Sequence, residues 1–318
     1  MQRREPLASA KSLPGLDPVY LAAKEKLIGG KSLGRRLAKQ RFGRTKERLS
    51  IIGFGGMVVK DVTPKEAANF VAEAVARGVN YFDVAPFYGN AQRRLGPALK
   101  PYRHKCFLAC KTLERDAAGA ARELRDSLRL LQTDYFDLYQ LHALTDVEEV
   151  EQAFGPGGAM ETFLRAKEEG KIRYIGFSAH SEEAAHAALD RFHFDSLLFP
   201  LSFPTWIGAE FGPSVYRRAK KTGMAVVALK AMAHQLWPRG RKHRWKKTFY
   251  EPFDDLDRAA LGLRFTLHLP VTAMFPPGHW ELFQMALGLA QAGALTPLGR
   301  NERKIIKQIA QGSDPIFP

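Results

Sequence analysis

Cysteine is scarce in this chain, with two in 318 residues. Cys106 and Cys110 lie four apart on one predicted strand, which separates their Cα atoms by roughly 13 Å, beyond the reach of a disulfide. So few thiols at that spacing argue against a disulfide framework, a zinc ribbon and an iron–sulfur cluster. Long apolar runs are missing as well, none approaching the roughly 18 residues that cross a bilayer. No G-x-G-x-x-G opens the first helical stretch, which counts against a Rossmann domain. No His-x-His occurs, so the clustered ligands of a metal-dependent hydrolase are lacking and no metal is expected.

Acidic residues are short in two places. Residues 1 to 48 carry 13 Lys/Arg against four Asp/Glu, and residues 238 to 248 carry six Lys/Arg and no acid. Together these stretches account for the whole net charge of +15, so the rest of the chain is balanced. Basic segments attract phosphate groups, anionic lipid or nucleic acid. No nucleic-acid reading module accompanies the charge, and nucleic acid is not an expected partner. The opening Met1-Gln2-Arg3-Arg4 looks like the start of a twin-arginine export signal. Lys11, Asp17, Lys24, Glu25 and Lys26 then interrupt the apolar stretch such a signal needs, so a cytoplasmic location is expected. Residues 1–40 read as a basic N-terminal extension, partly helical and otherwise loosely held.

What is present is a regular alternation. Strand-like runs near 49–55, 79–83, 105–111, 135–141, 172–177, 195–199, 224–229 and 271–275 alternate with helix-like runs near 64–78, 90–100, 117–131, 147–169, 181–192, 213–222, 255–268 and 280–292. Thr63-Pro64-Lys65-Glu66 supplies a cap, a Pro at the first helical position and an acid at the third. Eight strands alternating with eight helices over residues 41–318 predict an α/β fold, a closed (β/α)8 TIM barrel.

Such barrels place their chemistry at the carboxyl ends of the strands. Asp83, Lys111 and His142 end predicted strands two, three and four, and Tyr88 follows Asp83 by five residues. Each alone is an ordinary loop-entry residue. The four together predict a catalytic site at that end of the barrel.

The chain resembles the aldo-keto reductases. Phe42-Gly43-Arg44-Thr45, Gly53-Phe54-Gly55-Gly56, Asp83 through Tyr88-Gly89, Lys111, Leu141-His142 and Glu169 through Ser178 all fall where that family has its motifs, over roughly residues 41 to 300. The resemblance implies a barrel that binds NADPH without a Rossmann fold and reduces a small-molecule aldehyde or ketone, with a monomer as the expected state. It implies roles that suit the chemistry of the four residues: Tyr88 as general acid, Lys111 as the cation favouring phenolate, Asp83 holding Lys111, and His142 orienting the carbonyl oxygen.

The cofactor side departs from the family pattern. Ser178 is kept, but Ala179 and His180 follow it, Pro200 ends strand six, and strand seven ends Ala228-Leu229-Lys230, where relatives place a ring that stacks on nicotinamide. Pro277-Gly278 before the last barrel helix sits where this fold tends to bind phosphate. Ser178, Leu229, Lys230, Pro277 and Gly278 are therefore the expected cofactor contacts, with NADPH favoured and NADH the alternative. Met57, Phe87 and Trp206 are expected at the pocket mouth. Trp237 and Trp245 in the basic loop either cover a ligand or anchor the loop. The altered nicotinamide pocket also admits a second reading, a barrel with impaired turnover that binds a ligand or regulates.

Overall fold

In the computed structural model of the protein, residues 12–29 and 36–317 are described; the twin-arginine-like opening lies outside them. Hairpin β1 (Lys39–Arg41) and β2 (Arg48–Ser50) comes first among the strands. Then follow β3 (Phe54–Gly55), β4 (Tyr81–Asp83), β5 (Phe107–Thr112), β6 (Phe136–Leu144), β7 (Ile172–Ala179), β8 (Ser196–Pro200), β9 (Ala225–Leu229) and, after a second hairpin of β10 (Ala233–Leu236) and β11 (Tyr250–Pro252), β12 (Ala273–Met274). Strands β3 to β9 and β12 form one parallel sheet of eight, each beside the next. The seam between its ends is joined where Ile52 bridges Met274: the Gly53 N–H donates to the Met274 carbonyl and the Met274 N–H to the Ile51 carbonyl, both at 2.9 Å. The curled sheet with its helices is the expected (β/α)8 barrel.

The helices are α1 (Pro18–Ile28), α2 (Pro64–Ala76), α3 (Ala91–Leu99), α4 (Ala117–Leu131), α5 (Val147–Phe154), α6 (Ala159–Glu168), α7 (Glu182–Arg191), α8 (Pro213–Lys221), α9 (Leu256–His268), α10 (Trp280–Ala292) and α11 (Arg300–Gln311). The Thr63 cap on α2 forms as expected, a reciprocal box with Glu66. Two apolar clusters divide the interior. One lies between sheet and helices; the other, with Tyr81, Phe107, Leu138, Leu198, Val227 and Phe275, fills the barrel itself. Phe42 and Leu49 of the first hairpin plug that inner cluster from below. Gly43 lets the hairpin seat, since its φ is 55° and a Cβ there would lie 2.6 Å from the Ala225 nitrogen.

Several elements differ from expectation. The run 49–55 is two pieces, β2 and β3, because Ser50 bends the chain: its hydroxyl donates to the Ile52 carbonyl at 2.8 Å and its N–H to the Asn80 side chain at 2.7 Å. The helix expected over 147–169 breaks into α5 and α6 at Gly155-Pro156-Gly157-Gly158, where Gly157 takes a φ of 72° and a Cβ on Gly158 would meet the Ala153 carbonyl at 2.4 Å. The β10–β11 hairpin and α11 were not expected at all.

Helix α1 is docked on α9 and α10. Tyr20 is buried and its hydroxyl donates to Asp257 on α9 at 2.6 Å, while Lys24 forms an ion pair with the same carboxylate at 2.7 Å. Leu27 packs over Gly288 on α10. The Asp17 N–H donates to Glu302 of α11, itself held in a buried pair by Arg264. Among the described residues, no helix is long and apolar enough to cross a membrane.

Candidate active site

Strand register brings the four predicted residues together. Asp83 pairs across from Ala109, and Lys111 from Gln140, so Asp83, Lys111 and Gln140 all face the upper barrel interior. Lys111 is fully buried and forms an ion pair with Asp83, its ammonium also donating to the Val84 carbonyl at 3.5 Å. Tyr88 arrives by a tight turn, Ala85-Pro86-Phe87-Tyr88, closed by the Tyr88 N–H on the Ala85 carbonyl at 3.1 Å. The turn throws Phe87 outward, 74% exposed, and brings the Tyr88 ring within 5.4 Å of the Lys111 nitrogen. His142 meets that ring edge-on at 5.8 Å between centroids.

His142 is carried by an irregularity that the sequence did not reveal. Strand β6 continues to Leu144, past the expected end, with a register shift after Leu141 and Ala143 at a φ of 55°. This bulge re-aims the backbone at the mouth. The Ala143 N–H donates to Ser178 Oγ at 2.7 Å, and Arg115 donates to the His142 carbonyl at 2.7 Å, fixing the bulge from both sides.

Electrostatics separate the roles. Burial alone would lower the Lys111 pKa, but the Asp83 carboxylate and the Tyr88 hydroxyl together hold it above the ordinary lysine value. Burial raises Tyr88 above its usual 10.0 while Lys111 pulls the other way, so the phenol stays protonated and able to donate. Burial, with Lys111, His180, Arg115 and Lys230 nearby, lowers His142 to about 2. His142 is therefore a neutral imidazole, and its buried Nδ1 has no partner among the described residues.

Sequence reasoning missed Gln140. Its Nε2 donates to Asp83 Oδ2 at 3.0 Å, leaving the other carboxylate oxygen to Lys111. The only signal was its position, two residues before His142 on the same face of the strand.

The expected cofactor contacts fall at the carboxyl ends of β7 and β9 and just before α10. Ser178 Oγ accepts from Ala143, leaving its O–H to donate elsewhere. Leu229 packs against the inner cluster, an aliphatic side chain where a stacking ring was the family pattern. Pro277 and Gly278 precede α10, whose first turn has no side-chain cap, and a Cβ on Gly278 would lie 2.4 Å from Met57 Cβ. The basic loop reaches that helix end: the Lys247 N–H donates to His279 Nε2 at 3.0 Å and its ammonium to the Val58 carbonyl at 3.2 Å. Trp245 lies edge-on to His279 and donates to Asp254, and Trp237 donates to Thr248, so both tryptophans anchor the loop. Trp206 is not at the mouth. It packs against Tyr216 and Phe265 in the helical layer, because the chain turns outward after β8. His180 rests on Phe317, its pKa lowered to about 4 by burial. Both cysteines are free and buried, and no group of three His, Cys, Asp or Glu suited to a metal occurs among the described residues.

The fold and this set of side chains define a barrel of the aldo-keto reductase type. The aldo/keto reductase family profile matches residues 51–281, and the chain belongs to that family. Uncharacterized oxidoreductase YqkF of Bacillus subtilis is 31% identical over 157 residues, 45% of this chain and 49% of the relative. L-galactose dehydrogenase of Arabidopsis thaliana is 29% identical over 166 residues, 47% and 50% of the two chains. The chain thus spans about half the length of the curated relatives it matches. In structure it is similar to aldo-keto reductase AKR11C1 from Bacillus halodurans in its holo form, with a TM-score of 0.68 and 25% identity over 88% of this chain and 98% of the other.

Proposed function

We propose that the protein is an NAD(P)H-dependent oxidoreductase that reduces an aldehyde or ketone to an alcohol. The observation that carries this reading is the Lys111 ammonium, buried beside the Asp83 carboxylate and the Tyr88 ring, with neutral His142 edge-on to that ring. The surroundings fit a nicotinamide dinucleotide at its phosphate end: the uncapped α10 offers free N–H groups and Lys247 adds charge. Ser178 and Leu229 would hold the ring end. When bound, the reduced nicotinamide supplies the hydride.

The chain's own residues then handle the oxygen. His142 donates a hydrogen bond that orients the carbonyl and steadies the charge building on its oxygen. Tyr88 transfers its phenolic proton to that oxygen as the hydride reaches the carbon. The Lys111 cation stabilises the resulting phenolate, and solvent returns the proton. The basic loop beside α10 favours NADPH over NADH.

Leu229 in place of a stacking ring supports the second reading, a barrel that binds a ligand with little turnover. Titration with NADPH and NADH, following quenching of Trp245 beside His279 and energy transfer to the reduced nicotinamide, separates the two. Micromolar binding with carbonyl-dependent oxidation supports the reductase; binding without turnover favours the alternative. Tyr88→Phe should lower the rate about 100- to 10,000-fold with cofactor affinity retained, and undiminished reduction in that variant would sink the assignment.

A further inference from the structure

Among the described residues, one cation at the barrel mouth forms no ion pair. Lys230 follows β9 directly, in left-handed backbone with a φ of 67°, and its carbonyl accepts from the Ala233 N–H at 2.7 Å in the turn into β10. A long side chain in that conformation is uncommon. Its ammonium lies over two rings brought back by the basic loop, Phe249 at 4.6 Å and Tyr250 at 4.9 Å. Among the described residues it has neither an ion pair nor an oxygen acceptor, and its pKa is drawn down to about 8 by burial. A crowded cation with unused donors gains most from an anion that enters the mouth.

Sequence alone grouped Lys230 with the cofactor contacts, but its neighbours divide it from the phosphate end. Lys230 sits at the exit of β9 against Phe249 and Tyr250, whereas the lysine bonded at His279, the head of α10, is Lys247. Lys247 also holds the α10 end through His279 and the turn before α2 through Val58. The two lysines of this region therefore serve opposite ends. Arg115, also near His142, differs from Lys230 in already having a countercharge: its Nη2 pairs with Glu149 and donates to the His142 carbonyl, and only its Nε lacks a partner among the described residues.

We propose that Lys230 receives an anionic group on the substrate, so that the preferred substrates are aldehydes or ketones carrying a carboxylate or phosphate a few bonds from the carbonyl. This rests on the carbonyl-reductase reading. Tyr88 and His142 hold the carbonyl oxygen on one side of the mouth, and the acidic arm of the same molecule reaches the exit of β9.

Matched probes test it. Succinic semialdehyde against butanal reads a carboxylate, and glyceraldehyde 3-phosphate against glyceraldehyde reads a phosphate. The wild-type protein should favour at least one anionic member by about tenfold or more in kcat/KM. Lys230→Met should bring that ratio near one, and Lys230→Arg should restore part of it. Calorimetric titration with succinate and with succinamide gives an arm independent of turnover: succinate should bind the wild-type protein and succinamide should not. Turnover without anionic preference, preference that survives Lys230→Met, or a Lys230→Met defect confined to NADPH affinity would each overturn the proposal and leave the reductase standing. Succinate binding lost in Lys230→Met, with no reduction of any aldehyde, would support the anion site and overturn the reductase reading.

Discussion

Gln140 shows how a single uncharged side chain governs an ionic pair. Asp83 has two oxygens in a dry environment, and Gln140 occupies one so that Lys111 has the other. Gln140→Leu removes that donor and frees the carboxylate to rotate, so kcat should fall by about tenfold with KM little changed; a steady-state series on one aldehyde checks it. His142 makes a pH prediction with a definite sign. Its folded pKa of about 2 lies far below its ordinary 6.5, so the unfolded imidazole takes up a proton that the folded one refuses. Its contribution to stability is thus present above pH 6.5 and lost as pH falls toward 2, and His180, lowered to about 4, acts in the same sense. Urea midpoints should drop between pH 7 and pH 5, with a shallower slope in His142→Asn. The convergence of Asp83, Tyr88, Lys111 and His142 could be read from the sequence because chemistry-bearing residues at strand ends break an apolar pattern. Gln140 could not, because an amide inside a strand has no signature until its partner is known.

At the scale of elements, the basic loop between β10 and β11 is a bracket. Trp237 and Trp245 tie it down, and Lys247 carries it to the head of α10. Trp245→Ala should loosen that end and weaken NADPH binding by about tenfold, with greater sensitivity to salt than the wild-type protein shows; fluorescence anisotropy at two ionic strengths reads both effects. Most strands and helices were legible because apolar runs alternate with capped amphipathic stretches, as at Thr63-Pro64. The β10–β11 pairing was not, since its strands are short, lie on either side of a highly charged loop and owe their order to tertiary contacts. The α5–α6 break was hidden for the opposite reason: helical periodicity runs up to Gly155 and resumes after Gly158, and only the close packing of Gly158 against Ala153 shows why the chain cannot continue.

The molecule as a whole is tied across its length. Helix α1 belongs to the first residues described, yet Asp257 on α9 receives its Tyr20, Lys24 and the Leu13 N–H. Lys24→Met leaves a nearly buried carboxylate short of its countercharge and should cost about 3 kcal/mol; urea unfolding of the full chain measures it. The seam at Ile52 and Met274 has the same long reach. During synthesis, α1 leaves the ribosome well before α9 and lacks its Asp257 partner until that helix has emerged. Tyr20 and Asp257 stand 237 positions apart, and at about 5–20 residues per second that separation keeps an apolar helix waiting for roughly 10–50 seconds. The interval is a window in which a chaperone has something to hold.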